Sequence, residues 1–409
     1  MSGKSVLLAT VALYAAAELA AATTIRVNSV AQRWPWNNKA DIRYTITGGE
    51  DLSSSSFHKV VFTAVIEGVT NTIEGSSIGA SAKEGTHTVT WELPSGIKSE
   101  TCTMSATIGE AAFPSGNDYM IVNLVNGSVH YEGLYATQEA SNERYNTDAY
   151  KEDLLVLRKV PAGGTYPTGN NTFYANANSA KTWTTDRDYY IGVFPVTQYQ
   201  YRKITGTNPS IHQSTIAGNN ANHRPVDYVS WTNLRGTASP TNALVPSATG
   251  TFLQRLNHLS QTASGLSGFD LPTELMFEIA ERAETNAVYF WGTEISTDYL
   301  VCKDNTSGQS TVATGTTSLP NRWGLYDMAG NVNQWCLDDT SLANLANAPD
   351  PFTPAYGGSA TQRQLRCGNF NTATTDATYS VRFRASCRFS SSAGALNKGI
   401  GFRVAIVAR

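Results

Sequence analysis

The chain has 409 residues, of which 41% are hydrophobic, 10% aromatic and 15% charged. Such a composition excludes an intrinsically disordered chain, and the length calls for more than one core. The formal net charge is -3 and no run of Lys or Arg stands out, which excludes a basic nucleic-acid-binding face and an anionic-membrane surface.

Residues 1–22 read as a secretory signal. Lys4 supplies the positive start, residues 6–13 the apolar stretch, and Ala20-Ala21-Ala22 before Thr23 the small-residue cleavage site; Glu18 departs from the pattern. The competing reading is a buried N-terminal helix. The apolar run is short of the roughly 20 residues a membrane helix needs, and no later segment reaches that length. A signal implies a mature chain starting near Thr23, exported to the extracellular space, the cell surface or the periplasm.

Residues 23–112 read as all-β. Segment 41–47 alternates with period two and puts Ile42, Tyr44 and Ile46 on one face; Gly48-Gly49 breaks it. Segments 60–66 and 87–91 are further strands rich in Val, Thr and aromatics, so a small immunoglobulin-like sandwich is expected. Trp34-Pro35-Trp36 is either an exposed aromatic patch or packing over a sheet edge. Residues 113–153 are polar, show no sustained period and read as a connector.

From residue 154 the texture changes to strand pieces (154–160 and 189–194), short helices and long Gly/Asn/Ser/Thr loops. Segment 251–259 places Phe252, Leu253, Leu256 and Leu259 on one helical face. Thr273 is an N-cap with Glu274 at the positive end of a helix that buries Met276, Phe277 and Ala280. The five cysteines are Cys102, Cys302, Cys336, Cys367 and Cys387. None sits in a C-x-x-C, so no zinc or iron site is read from ligand spacing, and a bridge is expected within Cys336, Cys367 and Cys387.

Five ordered segments then resemble one family. YYIGVFPVT at 189–197 matches its "E-V-T" entry, and RPVDYVSW at 224–231 matches "P-V-x-x-V-S-W". LPTELMFE at 271–278 matches "L-P-T-E-A-E-W-E", WGLYDMAGNVNQW at 323–335 matches "G-L-Y-D-M-x-G-N-V-W-E-W", and GFRV at 401–404 closes the set. Residues 154–409 thus resemble the formylglycine-generating enzymes, or sulfatase-modifying factors. The resemblance implies an α+β class: a C-type-lectin-like domain preceded by the small all-β immunoglobulin-like sandwich. Trp231, Trp323 and Trp335 are expected as its large buried anchors.

The resemblance also implies a calcium ion held by the Asp327 side chain, the Gly330 and Val332 carbonyls and position 334. The family's Glu is Gln334 here, one carboxylate fewer for a hard cation. The family enzymes use two cysteines that bind copper. In the register fixed by Arg384, Arg388 and residues 400–403 these fall on Ser380 and on Thr375, or Thr372 if the spacing differs upstream. Soft copper(I) needs thiolates, and the sequence lacks the His-rich helical domain that holds iron in the family's sulfoxide-synthase relatives, so neither copper nor iron is expected and no catalytic residue is assigned.

The C-terminal layout resembles instead the variable proteins of diversity-generating retroelements, ligand-binding members of this fold. Framework positions would be Leu365, Arg366, Phe370, Arg384, Arg388 and residues 400–403. Between them, Asn371, Thr372, Thr374, Thr375, Asp376, Tyr379, Cys387, Phe389, Ser390, Ser391, Ser392, Asn397 and Lys398 would form the ligand-binding face. Tyr and Phe give contact area and Ser, Thr and Asn adaptable hydrogen bonds; Ala393-Gly394 departs from the family's Pro-Asp. The expected function is an exported, non-catalytic binding or adhesion protein whose partner is an extracellular protein or glycan. The alternatives are an oxidase acting on a cysteine-containing sulfatase peptide and a structural cell-surface protein.

Overall fold

The computed structural model describes residues 24–32, 39–47, 58–66, 69–74, 85–92, 102–110, 116–169, 179–214, 220–342, 345–357 and 361–408. The signal segment and Trp34-Pro35-Trp36 lie outside them. The chain folds as two compact units, Met1–Phe113 and Pro114–Arg409.

In the first unit β1 (Thr24–Gln32), β2 (Lys39–Thr47), β3 (His58–Ile66), β4 (Val69–Glu74), β5 (Gly85–Glu92) and β6 (Cys102–Glu110) form two antiparallel 3-stranded sheets, ordered β1-β2-β5 and β4-β3-β6. Along β2 burial alternates, with Ala40, Ile42, Tyr44 and Ile46 inside. They meet Val60, Phe62, Ala64 and Ile66 of β3 in one core, where the Tyr44 and Phe62 rings sit edge to face at 5.3 Å. The strand order is the Greek key of an immunoglobulin-like sandwich.

The second unit opens with β7 (Tyr119–Asn123), β8 (Val129–Glu132) and α1 (Gln138–Tyr145), inside the stretch that reads as a connector from sequence. The connector reading is thereby corrected. With β9 (Leu154–Val160), the β10/β11 hairpin (Thr165–Thr168 and Lys181–Thr184) and β12 (Tyr189–Gly192), the chain builds toward a 5-stranded sheet ordered β17-β12-β9-β7-β8, closed by β17 (Ala405–Val407). Every residue of β7 is buried, so its run of Tyr, Met, Ile and Val shows no alternation to read.

Helices follow capped starts. Thr197 caps α2 (Gln198–Thr205) in a capping box with Gln200, and Ser230 caps α3 (Trp231–Arg235) with Asn233. Thr251 precedes α4 (Phe252–Ser264), which buries Phe252, Leu253 and Leu256. Thr273 caps α5 (Glu274–Arg282), the threonine hydroxyl accepting from the Met276 amide at 3.1 Å. Past α6 (Lys303–Thr306), a second sheet runs β15-β14-β13-β16: β13 (Asn333–Asp339), β14 (Gln362–Arg366), β15 (Phe389–Ser392) and β16 (Ile400–Gly401). Trp231 and Trp335, both fully buried, lock α3 to β13: the Trp231 indole donates to the Cys336 carbonyl at 3.1 Å and the Trp335 indole to the Val229 carbonyl at 2.9 Å. Trp323 is not a buried anchor. It is half-buried, edge-on to Tyr166 at 5.7 Å, on a turn that leaves one side open.

All of α5 is buried, its carboxylates included. Glu278 takes Arg282 at 2.9 Å and Arg366 at 2.9 Å; Glu274 takes Arg388 through two nitrogens, at 3.1 and 2.5 Å, and Arg366 at 3.4 Å. Burial works to raise the Glu278 pKa, but Arg282, Arg366 and the Gly169 amide outweigh it and hold the carboxyl below its ordinary value. Removing one partner leaves guanidinium groups buried and unpaired. Glu278→Ala is therefore expected to destabilise the chain by about 3–5 kcal/mol in urea unfolding, against about 0.5 kcal/mol or less for the exposed Ser390→Ala. Equal effects of the two would contradict this network.

Candidate functional site

The excursion between β14 and β15 carries most of the residues that the sequence assigns to binding. Asn371, Thr375 and Tyr379 are exposed, and Thr374 and Asp376 half-buried. The Asp376 carboxylate caps its own turn, accepting from the Thr378 amide at 2.9 Å and the Tyr379 amide at 3.0 Å. Ser380 is half-buried at the head of a 3₁₀ turn, Ser380–Phe383. Arg382 in that turn lies 4.6 Å from the Tyr379 ring centre and 4.4 Å from that of Phe389, joining the loop to β15 through a shared cation. On the edge strand β15, Ser390 and Ser392 are exposed and Ser391 half-buried.

Two assigned residues are corrected. Cys387 is buried, its thiol 3.9 Å from the Arg388 carbonyl. Thr372 is buried too, its carbonyl taken by the Lys303 amide at 2.9 Å and its hydroxyl directed to Asn369 Oδ1 at 3.4 Å. Neither reaches a surface ligand.

Asn371, Asn397 and Lys398, far apart within the C-terminal stretch, converge on one open cleft of about 520 Å³. Its floor is Phe370, and Ile211, Leu396 and Tyr228 supply apolar walls. Ile211 is 56% and Leu396 49% exposed, unusual for such side chains and consistent with a contact surface. Tyr228 holds φ 62°, a left-handed conformation that disfavours a bulky residue. The wall is fixed from below: buried Asp227 accepts from the Ile211 amide at 2.8 Å and meets His212 Nδ1 at 3.1 Å, and the His212 ring stands edge-on to Phe370 at 4.9 Å. Sequence reasoning missed Ile211, Tyr228, Leu396 and Arg382; nothing local in residues 208–228 points to the C-terminus, because the pairing is purely tertiary.

The register read from sequence puts the family's two cysteines on Ser380 and on Thr375, or Thr372. Thr375 is exposed and Ser380 half-buried. The thiols Cys302, Cys336, Cys367 and Cys387 are free and buried, so the bridge expected within Cys336, Cys367 and Cys387 is absent. Burial pushes all of them up, Cys387 to about 11 against the pull of Arg366, Arg382 and Arg384. A nucleophilic or metal-binding sulfur needs the opposite shift.

The residues expected to hold calcium form a closed knot. The Asp327 carboxylate accepts from Ser318 at 2.7 Å and from the Gly315 amide and Asn331 side chain, each at 3.3 Å. Cys367 Sγ donates to the Gly330 carbonyl at 3.1 Å, and Gln334 Nε2 to the Asp327 carbonyl at 2.9 Å. Arg403 donates to Gln334 Oε1 at 2.7 Å and to the Asp327 carbonyl at 3.2 Å. Gly330 cannot carry a side chain, since a Cβ there would stand 2.2 Å from the Val301 carbonyl oxygen. With the Gly330 carbonyl, the Asp327 carboxylate and the Gln334 amide oxygen engaged and a guanidinium alongside, the set Asp327, Gly330, Val332 and Gln334 does not fit a hard cation. Among the described residues no group of three or more His, Cys, Asp or Glu is placed to hold a metal.

Fold and sequence together define a C-type-lectin-like domain of the formylglycine-generating type. The sulfatase-modifying factor enzyme 1-like domain matches residues 142–408, and the chain belongs to that family. It is 29% identical over 153 residues to the formylglycine-generating enzyme of Streptomyces coelicolor, covering 34% of this chain and 47% of that one. It is 34% identical over 142 residues to the serine/threonine-protein kinase pkn1 of Chlamydia pneumoniae, covering 34% and 21%. The chain thus spans from about a fifth to a half of the length of these curated relatives. Among solved structures it is similar to Treponema denticola variable protein 1, at 23% identity and a TM-score of 0.49 over 62% of this chain and 95% of that one.

Glu281 lies buried on α5 beside these groups. Burial raises its pKa to about 8, against Arg366 and Arg282. Its folded pKa thus exceeds the ordinary carboxylate value, so the native state holds a proton that the unfolded chain has lost. Stability is complete below the unfolded pKa and falls as pH rises through the folded one. Between about pH 5 and pH 8 the wild type is expected to lose stability more steeply than Glu281→Gln in chemical denaturation; parallel curves would refute this assignment.

Proposed function

We propose that this chain is a non-catalytic binding protein, exported from the cytosol, that engages an extracellular protein or glycan through its C-terminal face. One observation carries the reading: Asn371, Asn397 and Lys398 converge with exposed Ile211 and Leu396 on an open cleft, while the family's cysteine positions are hydroxyls. The chemistry of the cleft is that of a contact surface. Amides and an ammonium stand over an apolar floor, which favours a ligand offering oxygen acceptors beside an apolar group. Tyr379 on the excursion and Phe389 on β15, both against Arg382, add aromatic area. The signal segment at residues 1–22 supports export.

The probes are a glycan array and a phage-displayed peptide library, each screened with the full chain and with Asn371→Ala/Asn397→Ala/Lys398→Ala. Selected ligands are expected to lose about tenfold or more in affinity for the triple variant, each anchor contributing on the scale of a surface hydrogen bond. Ligands bound equally by both proteins, or none selected from either library, would reject this face as the binding site.

A further inference from the structure

Cys367 holds φ 95°, backbone that favours glycine and strains any side chain. The strain is offset by what the thiol reaches. Its sulfur stands 3.1 Å from the Gly330 carbonyl and 3.5 Å from the Asp327 carbonyl, and Gln334 Nε2 points at it from 3.4 Å. Two carbonyl oxygens from one turn therefore aim at one sulfur atom, and one of them, the Gly330 carbonyl, is among the ligands the family resemblance implies for calcium. Arg403 completes the closure. It is fully buried, and the hydrogen bonds it makes run to the carbonyls of Gly192, Val193, Tyr326 and Asp327 and to Gln334 Oε1, with none to a carboxylate. Its positive charge already supplies the electrostatic balance that a cation would supply at those oxygens.

We propose that Cys367 and Gln334, the latter bound to the Arg403 that the GFRV segment shares with the family, stand in place of a calcium ion as the tie between the 327–334 turn, β14 and the last segment of the chain, and that this unit is stable without calcium. The disagreement with the calcium site implied by the family resemblance is chemical. Calcium takes six to eight oxygens at roughly 2.3–2.6 Å, whereas a sulfur and a guanidinium occupy or repel at this position. Each substitution alone leaves part of the closure intact: Gln334→Glu gives Arg403 a carboxylate partner, and Cys367→Gly vacates the sulfur position and relieves the backbone. The pair opens the spot and adds a hard anionic ligand.

The experiment compares thermal unfolding of the full chain and of Cys367→Gly/Gln334→Glu in calcium chloride and in EDTA. The wild-type Tm is expected to be the same in both, and the double variant to show a Tm that rises with calcium concentration and falls back with EDTA. A wild-type Tm raised saturably by calcium overturns the proposal, as does a folded double variant blind to calcium. Should the double variant not fold, calorimetric titration of calcium into the wild type decides: no saturable heat supports the thiol closure, and stoichiometric binding overturns it.

Discussion

The C-terminal excursion depends on one buried charge network. Arg366 ends β14 and Arg388 stands just before β15, and both reach α5, Arg366 to Glu274 and Glu278 and Arg388 to Glu274. The two ends of the 367–387 loop are thereby clamped to one helix. Arg366 also donates to the Ala385 carbonyl, and Arg388 to the Leu342 carbonyl at 2.7 Å, so the guanidinium groups leave few donors unused. Burial makes such a network costly unless complete, and its completeness fixes the loop ends rather than adding large net stability. Between the clamps, exposed side chains such as Asn371, Thr375 and Tyr379 alternate with buried ones such as Phe370, Phe383 and Ala385.

Thr375 and Ser380 sit between the clamps, the first exposed and the second half-buried. The sulfur that the chain does carry is elsewhere and is used differently: Cys367 donates to carbonyls, and Cys336 lies buried on β13, its own carbonyl accepting from the Trp231 indole. Burial holds these thiols protonated, the form that neither attacks nor binds metal.

Much of the frame is legible in the sequence. Period-two alternation marks β2 and its inward Ile42, Tyr44 and Ile46, and Thr273 announces α5 because its hydroxyl is the right acceptor one turn before the apolar run. The apolar texture of Leu154–Val160 marks β9. Nothing comparable marks β7, because a strand covered on both faces has no polar side to alternate with. The exposure of Asn371, Tyr379, Asn397 and Lys398 follows from polar residues between framework positions, whereas the burial of Thr372 and Cys387 does not: it depends on α6, whose Lys303 amide covers Thr372, and on the arginine cluster beside Cys387. The cleft walls at Ile211 and Tyr228 come from a loop more than a hundred residues upstream, and no local pattern encodes that meeting.

The central claim is that sulfur is missing where this family's oxidative chemistry needs it. The most direct measurement incubates the purified chain with copper(I), oxygen and a Cys-x-Pro-x-Arg peptide and follows the peptide by mass spectrometry. The account predicts an unchanged cysteine and no copper retained by the native chain after desalting. Conversion of the peptide cysteine to formylglycine in catalytic excess over the protein would contradict it.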